Sequence, residues 1–360
     1  MSMNSIRIPR ALHPLAWWAW ALGLATTASL TTNPLLLMLI LVVAGCVVAA
    51  RRSNAPWARA FRAYLIIGLI VVATRVVFRI IFGGTTAGGE YVLIRVPSVS
   101  IGDVVLGGPV SVESVVAALY DGLRLATLLC CIGAANTLAN PKRALRSLPG
   151  ALYEIGVAIT VAITIAPQLV ESAQRVHRAR RLRGATSRGR RAVRNVAMPV
   201  FHSALDRSFQ LAAAMDARGY GRTTAVAPEV RRTTNTCMLV GLVGICVGAY
   251  GMLDTTTPRM LGAPMLVAGA AAAIVGLSLG GRRVTRTRYR PDPWRAPEWI
   301  TLACGVVVAA AMIVTAHVNP APLHPSVYPL EWPTLPVLPV LGLGIALLPA
   351  FLTPPPGDRL

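Results

Sequence analysis

Acid is what this sequence has least of. Its 360 residues include 14 Asp or Glu against 35 Lys or Arg, and Lys142 is the single lysine. The few carboxylates are scattered, so no clustered acid–base centre is on offer. No G-x-x-x-x-G-K-[ST] string occurs, which excludes a phosphate loop of the chain's own. No H-E-x-x-H and no C-x-x-C is present either. The cysteines (Cys46, Cys130, Cys131, Cys237, Cys246 and Cys304) lie in or beside apolar runs and read as small packing residues, not disulfides or metal ligands. The histidines His13, His177, His202, His317 and His324 are dispersed. The chain therefore reads as a non-enzyme with no cofactor and no catalytic residue; a lipid-acting membrane enzyme ranks last.

Apolar runs, in contrast, are abundant. Hydrophobic residues make up 54% of the sequence and the mean hydropathy is +0.59. About 20 apolar residues in a helix cross the roughly 30 Å hydrocarbon core of a bilayer, and backbone polar groups in lipid must pair within the helix. The expected fold is all-α and polytopic. About eight spans are predicted, over 15–31, 35–50, 63–82, 114–138, 236–253, 260–280, 297–316 and 335–352. Asn33-Pro34 separates the first two. The apolar run after Arg7 and Arg10 is read as a retained first span, not a cleaved signal.

The net charge of +21 sits between the spans rather than on one soluble face, which argues against nucleic acid. With the N-terminus inside, 30 of the 35 cations fall on the cytoplasmic side. Both termini are then cytoplasmic and the chain belongs in the cell membrane. The sequence divides into an N-terminal transmembrane region at 11–138, a cytoplasmic and interfacial region at 139–232, and a C-terminal transmembrane region at 233–360. Residues 150–166 are apolar but basic on both flanks. They are read as an interfacial helix that Pro167 ends and that runs into the polar helix after it, with a re-entrant segment as the alternative. The outer loop 83–113, with alternation at Tyr91–Val96, is expected either to form a short hairpin or simply to cover the outer surface. The Pro-rich 317–334 loop is expected to be extended.

Four charges fall inside predicted spans: Arg75, Arg79, Asp121 and Arg124. Membrane charges are costly and face a partner or a polar cavity. An interhelical pair of Arg75 or Arg79 with Asp121 is the plain reading. A secondary transporter that uses these four residues as its pathway is the alternative.

The polar block 167–232 reads as two helices. The first runs from about Pro167 to Arg183 and stops at Gly184. The second runs from about Val196 to Arg218, carries Phe201, Leu205, Phe209 and Ala212 on one stripe, and stops at Gly219. Helix C-termini favour a nearby cation, glycine accepts the left-handed cap, and the arginine fork suits a carboxylate. Arg183-Gly184 and Ala217-Arg218-Gly219 thus form two cationic tips that could enter acidic sites on a partner, with the two helices packed through their apolar stripes. Anionic lipid is another possible ligand of the basic block.

Several strings in this block resemble the EcfT/CbiQ family: Leu148-Pro149, Ala166-Pro167, Glu171-Ser-Ala-Gln-Arg175, Arg181-Leu-Arg-Gly184 and above all Ala214-Met-Asp-Ala-Arg-Gly-Tyr-Gly221. His13-Pro14-Leu15 and Gly122-Leu-Arg-Leu-Ala126 are similar too, and the resemblance covers roughly 11–222. It implies the transmembrane coupling component of an energy-coupling-factor (ECF-type ABC) importer of vitamins or transition metals such as cobalt. Such a scaffold joins two ABC-type ATPases to a small membrane substrate-binding subunit. The resemblance also implies that Arg183-Gly184 and Ala217-Arg218-Gly219 insert into the two ATPases, while the apolar face of these coupling helices cradles the substrate-binding subunit. Leu182 departs from the small residue usual in the first motif, and four spans after the second motif exceed what the family usually carries.

Overall fold

The computed structural model describes residues 10–53, 60–82, 91–101, 104–147, 152–183, 190–219, 228–254, 258–281 and 293–355. They form α1 (Pro14–Ser29), α2 (Pro34–Arg51), α3 (Phe61–Phe82), β1 (Val92–Ile101), β2 (Val104–Ser111), α4 (Val112–Leu138), α5 (Pro141–Arg146), α6 (Tyr153–Leu182), α7 (Arg190–Ala217), α8 (Pro228–Leu253), α9 (Ala263–Gly281), α10 (Ala296–Val318), α11 (Val337–Ala346) and α12 (Pro349–Leu352). The strands pair antiparallel, so the hairpin that the alternation suggests is formed.

Caps fix the helix starts. Asn33 accepts from Leu35 N–H at 3.0 Å with Pro34 in the first turn, where its missing N–H costs nothing. Ser111 accepts from Ser114 N–H at 3.3 Å to open α4. His13 Nδ1 plays that part for α1.

Among the described residues, seven helices are long and apolar enough to cross a membrane: α2, α3, α4, α6, α8, α9 and α10. The number is close to the eight expected, but the membership differs. Here α1 has 16 residues, bounded by Pro14 and the Asn33-Pro34 break. The last predicted span is an apolar stretch, Val337–Leu352, divided into α11 and α12. In the other direction, α6 joins its apolar half to its basic half in one 30-residue helix with Pro167 inside. Pro167 therefore does not end the apolar segment. An interior proline removes one backbone donor but leaves the helix continuous here.

The chain divides into two compact units, Met1–Ala144 with Arg290–Leu360, and Leu145–Tyr289. Residues 233–289 thus belong to one unit and residues 290–360 to the other. In the first unit α10 and α11 join α1, α2 and α4 around one core of Trp17, Trp20, Leu24, Leu36, Ile40, Cys131, Val308, Met312 and Leu343. Trp20 Nε1 donates to Ala346 O at 3.0 Å. Helices in lipid gain from close backbone approach at small residues, and Gly305 supplies it: a Cβ there would lie 2.6 Å from Trp20 Cα. The Pro-rich 317–334 loop is not simply extended. A helical turn at Ala321–Leu323 buries Leu323, whose carbonyl accepts from Thr31 Oγ1 at 2.8 Å and from the Thr32 and Asn33 N–H groups.

In the second unit α8 packs on α9 through glycines. A Cβ on Gly244 would lie 2.8 Å from Gly269 Cα, and one on Gly241 would lie 2.5 Å from Ala273 N. This unit also holds the α6–α7 pair.

Candidate functional site

α6 changes character along its length. Its first half is aliphatic, and its second half carries Arg175, Arg178, Arg180 and Arg181 before Arg183 caps it. Concentrating cations at the C-terminal end suits the partial negative charge there. The N–H of Arg183 reaches back to Ala179 O at 3.3 Å and Arg180 O at 3.1 Å. Gly184 lies outside the described residues. Leu182 is 89% exposed, so the residue that departs from the family pattern stands fully outward.

α7 runs through an interior Pro199 and ends at Ala217. Arg218 N–H donates to Met215 O at 3.1 Å and Gly219 N–H to Asp216 O at 2.9 Å. Gly219 has φ +74°, the left-handed conformation that terminates a helix without a Cβ clash. Ala217, Arg218 and Gly219 are all exposed. The guanidinium groups of Arg183 and Arg218 have no hydrogen-bond or ion-pair partner among the described residues.

The two helices are antiparallel. Arg207 Nη1 donates to Gln168 Oε1 at 2.7 Å, and the Ser172 and Ser203 hydroxyls lie 3.4 Å apart. Arg183 and Arg218 therefore point away from each other. At about 1.5 Å rise per residue they lie about 17 Å and about 23 Å beyond the Ser172–Ser203 contact, up to about 40 Å apart. An open groove of about 500 Å³ lies where the pair meets, lined by Val170, Ala173, Gln174, His177, Arg178 and Val196.

The apolar stripe of α7 does not pack against α6. Phe201, Leu205 and Phe209 are exposed, Phe209 by 71%. The helices meet instead through the Gln168–Arg207 and Ser172–Ser203 contacts, which leaves the aromatic face of α7 open.

The span charges are arranged differently from the expected pair. No ion pair joins Asp121 to Arg75 or Arg79; among the described residues the ion pair is Arg10–Glu298. Gly122 faces α3, where a Cβ would lie 3.1 Å from Val72 Cα and 3.4 Å from Arg75 Cβ. Asp121, about 100° round the helix from Gly122, is exposed beside that contact. Arg124 points into the bundle and donates to the Ser29 carbonyl, one of the acceptors left over at the end of α1.

A Gly276-Leu-Ser-Leu-Gly280 string matches the G-x-S-x-G pattern of hydrolases, but it lies inside α9, with Ser278 Oγ donating to Val275 O. The strand-to-helix elbow that exposes a nucleophile is not there.

A family model described as CbiQ, cobalt transport protein, matches residues 5–227. The chain belongs to the CbiQ family. It is thus a component of membrane transport, multi-pass in the bilayer. Comparison with curated proteins gives no match. The CbiQ match covers α1 to α7 and stops just before α8. Beyond it, α10 and α11 still complete the core around α1 and α2.

Sequence reasoning missed the contacts that tie these late helices to the early ones. Glu298 is fully buried and takes Arg10 Nη2 at 2.5 Å, His13 N–H at 3.4 Å and Arg295 N–H at 3.0 Å. The available signal was Pro297-Glu298, a proline and an acid opening an apolar run.

Proposed function

We propose that this chain is the transmembrane coupling component of an ECF-type ABC importer. It passes ATP-driven motion from two cytoplasmic ATPases to a small membrane substrate-binding subunit that takes up a vitamin or a transition-metal ion. The observation that carries the reading is the pair of unpartnered guanidinium groups, Arg183 and Arg218, at C-terminal helix ends that point in opposite directions. One arginine tip could be a plain cap. Two, directed apart, suit two separate acidic grooves, one on each ATPase. The exposed Phe201 and Phe209 on the same helix pair offer an apolar seat for the membrane subunit. The excess of arginine in the loops supports a cytoplasmic position for both tips of a cell-membrane protein.

The test is ATP-dependent uptake by the reconstituted complex. Arg183→Glu and Arg218→Glu should each release an ATPase from the purified complex and abolish uptake, while the chain stays in the membrane. Wild-type uptake by both variants would sink the docking role. Uptake that followed the proton gradient without any ATPase would point instead to secondary transport through the span charges.

A further inference from the structure

α3 shows two surfaces. One packs on α4, with Gly68 against Ala126, Gly122 against Val72 and Arg75, and Tyr64 against Gly133. Away from that contact Leu69, Ile70 and Val77 are exposed, and only 6% of the apolar window in Phe61–Ile81 is buried.

Charge sits within that apolar surface. Arg75 is exposed. Arg79, one turn on, has its Nε buried with no hydrogen-bond partner. Asp121 of α4 is exposed beside the Gly122 contact and pairs with neither arginine. Arg75 lies within the span and Arg79 in its last turn, and charged residues inside a span ordinarily pair or face a polar cavity. Arg124, on the same α4, is satisfied by Ser29. The Arg75–Arg79 seam is not, and with Asp121 counted it keeps an excess of one positive charge.

We propose that the open face of α3 seats a transmembrane helix of a partner membrane subunit, with an Asp or Glu of that helix closing on Arg75 and Arg79. The charge excess selects an acid. The apolar rows of α3 match a second helix along its length. Asp121 repels a carboxylate set towards α4 and so fixes the side on which the acid must lie. The proposal rests on the chain being one subunit of a multi-subunit transporter, and not on the docking roles of Arg183 and Arg218.

The test places a photo-crosslinking amino acid at Val77 of the full chain in its native membrane and sequences the adduct. The expected adduct is a membrane-spanning segment of another chain that contains an Asp or Glu. Its yield should fall about tenfold, the equivalent of about 1.4 kcal/mol, in Arg75→Leu and persist in Arg75→Lys. Replacing the partner's carboxylate by its amide should lower the yield as much. Adducts confined to lipid, to a second copy of this chain or to a segment without an acid would overturn the proposal, as would a yield unchanged by Arg75→Leu. Arg75 is exposed, so the leucine variant should fold and keep its ATPases. Loss of ATPases in Arg183→Glu with the α3 adduct intact would separate this surface from the docking role.

Discussion

Arg10 Nη2 lies 2.5 Å from Glu298 Oε1, across 288 residues of sequence. The carboxylate is fully buried and sits in the first turn of α10, where it also accepts from the Arg295 N–H. The entry to α1 and the start of α10 are thus held by one charge. Removing one partner of a buried pair costs about 3–5 kcal/mol, because the other is left unpaired. Arg10→Ala, which strands the fully buried carboxylate, is expected to lower the unfolding temperature of the detergent-purified protein sharply, and Glu298→Ala less so because the Arg10 it leaves behind is partly exposed. A melting curve unchanged by Arg10→Ala would refute this.

The α1–α10 contact depends on the absence of side chains. A Cβ on Gly305 would meet Trp20 Cα at 2.6 Å, whereas a Cβ on Gly45 meets nothing within 4 Å. Gly305→Leu should cost about 3 kcal/mol, the upper end of the usual range for overpacking, since it strikes backbone rather than a movable side chain. Gly45→Ala should be neutral or gain about 0.5–1 kcal/mol from reduced backbone entropy. Paired melting curves in one detergent decide it: equal effects would show that the close approach is not what holds the helices.

The α-helical membrane fold was legible because apolar length is a one-dimensional property that lipid imposes on each helix alone. Helix breaks were legible for the same reason: Asn33-Pro34 and Gly219 act on their own neighbours. Pairing across the chain was not. Nothing in Arg10 or Glu298 alone says that they meet, and Arg75 with Asp121 made a plausible pair that lies on packed helices but forms no ion pair. Pro167 misled because a proline can end a helix or sit within one, and its surroundings decide. The α7 stripe was read as a packing face. Periodicity tells that a face is apolar, but not whether the chain itself covers it.

Gly219 tests the geometry of the second tip. Its φ of +74° would cost another L-residue about 1–2 kcal/mol. Nothing lies near a Cβ, but the backbone strain does not depend on space, so Gly219→Val should fray the exposed end of α7 and tilt Arg218 off its course. The expected result is a melting curve lowered by no more than that cost, with weakened ATPase binding, and Gly219→Asn should be milder because asparagine tolerates this conformation. Full ATPase affinity in the valine variant, measured by titration in nanodiscs, would mean that the tip tolerates misdirection.

The open face of α7 separates the two jobs proposed for the helix pair. Phe209 is 71% exposed, so Phe209→Glu removes little packing within the chain, and surface changes of this kind stay within about 0.5 kcal/mol. If the face seats a membrane subunit, burying a new carboxylate there should cost at least about 2 kcal/mol of association, as aromatic anchors of interfaces do, or about 30-fold in affinity. Arg183 and Arg218 are untouched, so the variant should still carry its ATPases. Arg183→Glu should show the reverse, with the membrane subunit bound and an ATPase lost. Quantitative mass spectrometry of the two purified complexes reads both at once, and loss of the same subunits from both variants would show that docking and seating are not separate surfaces.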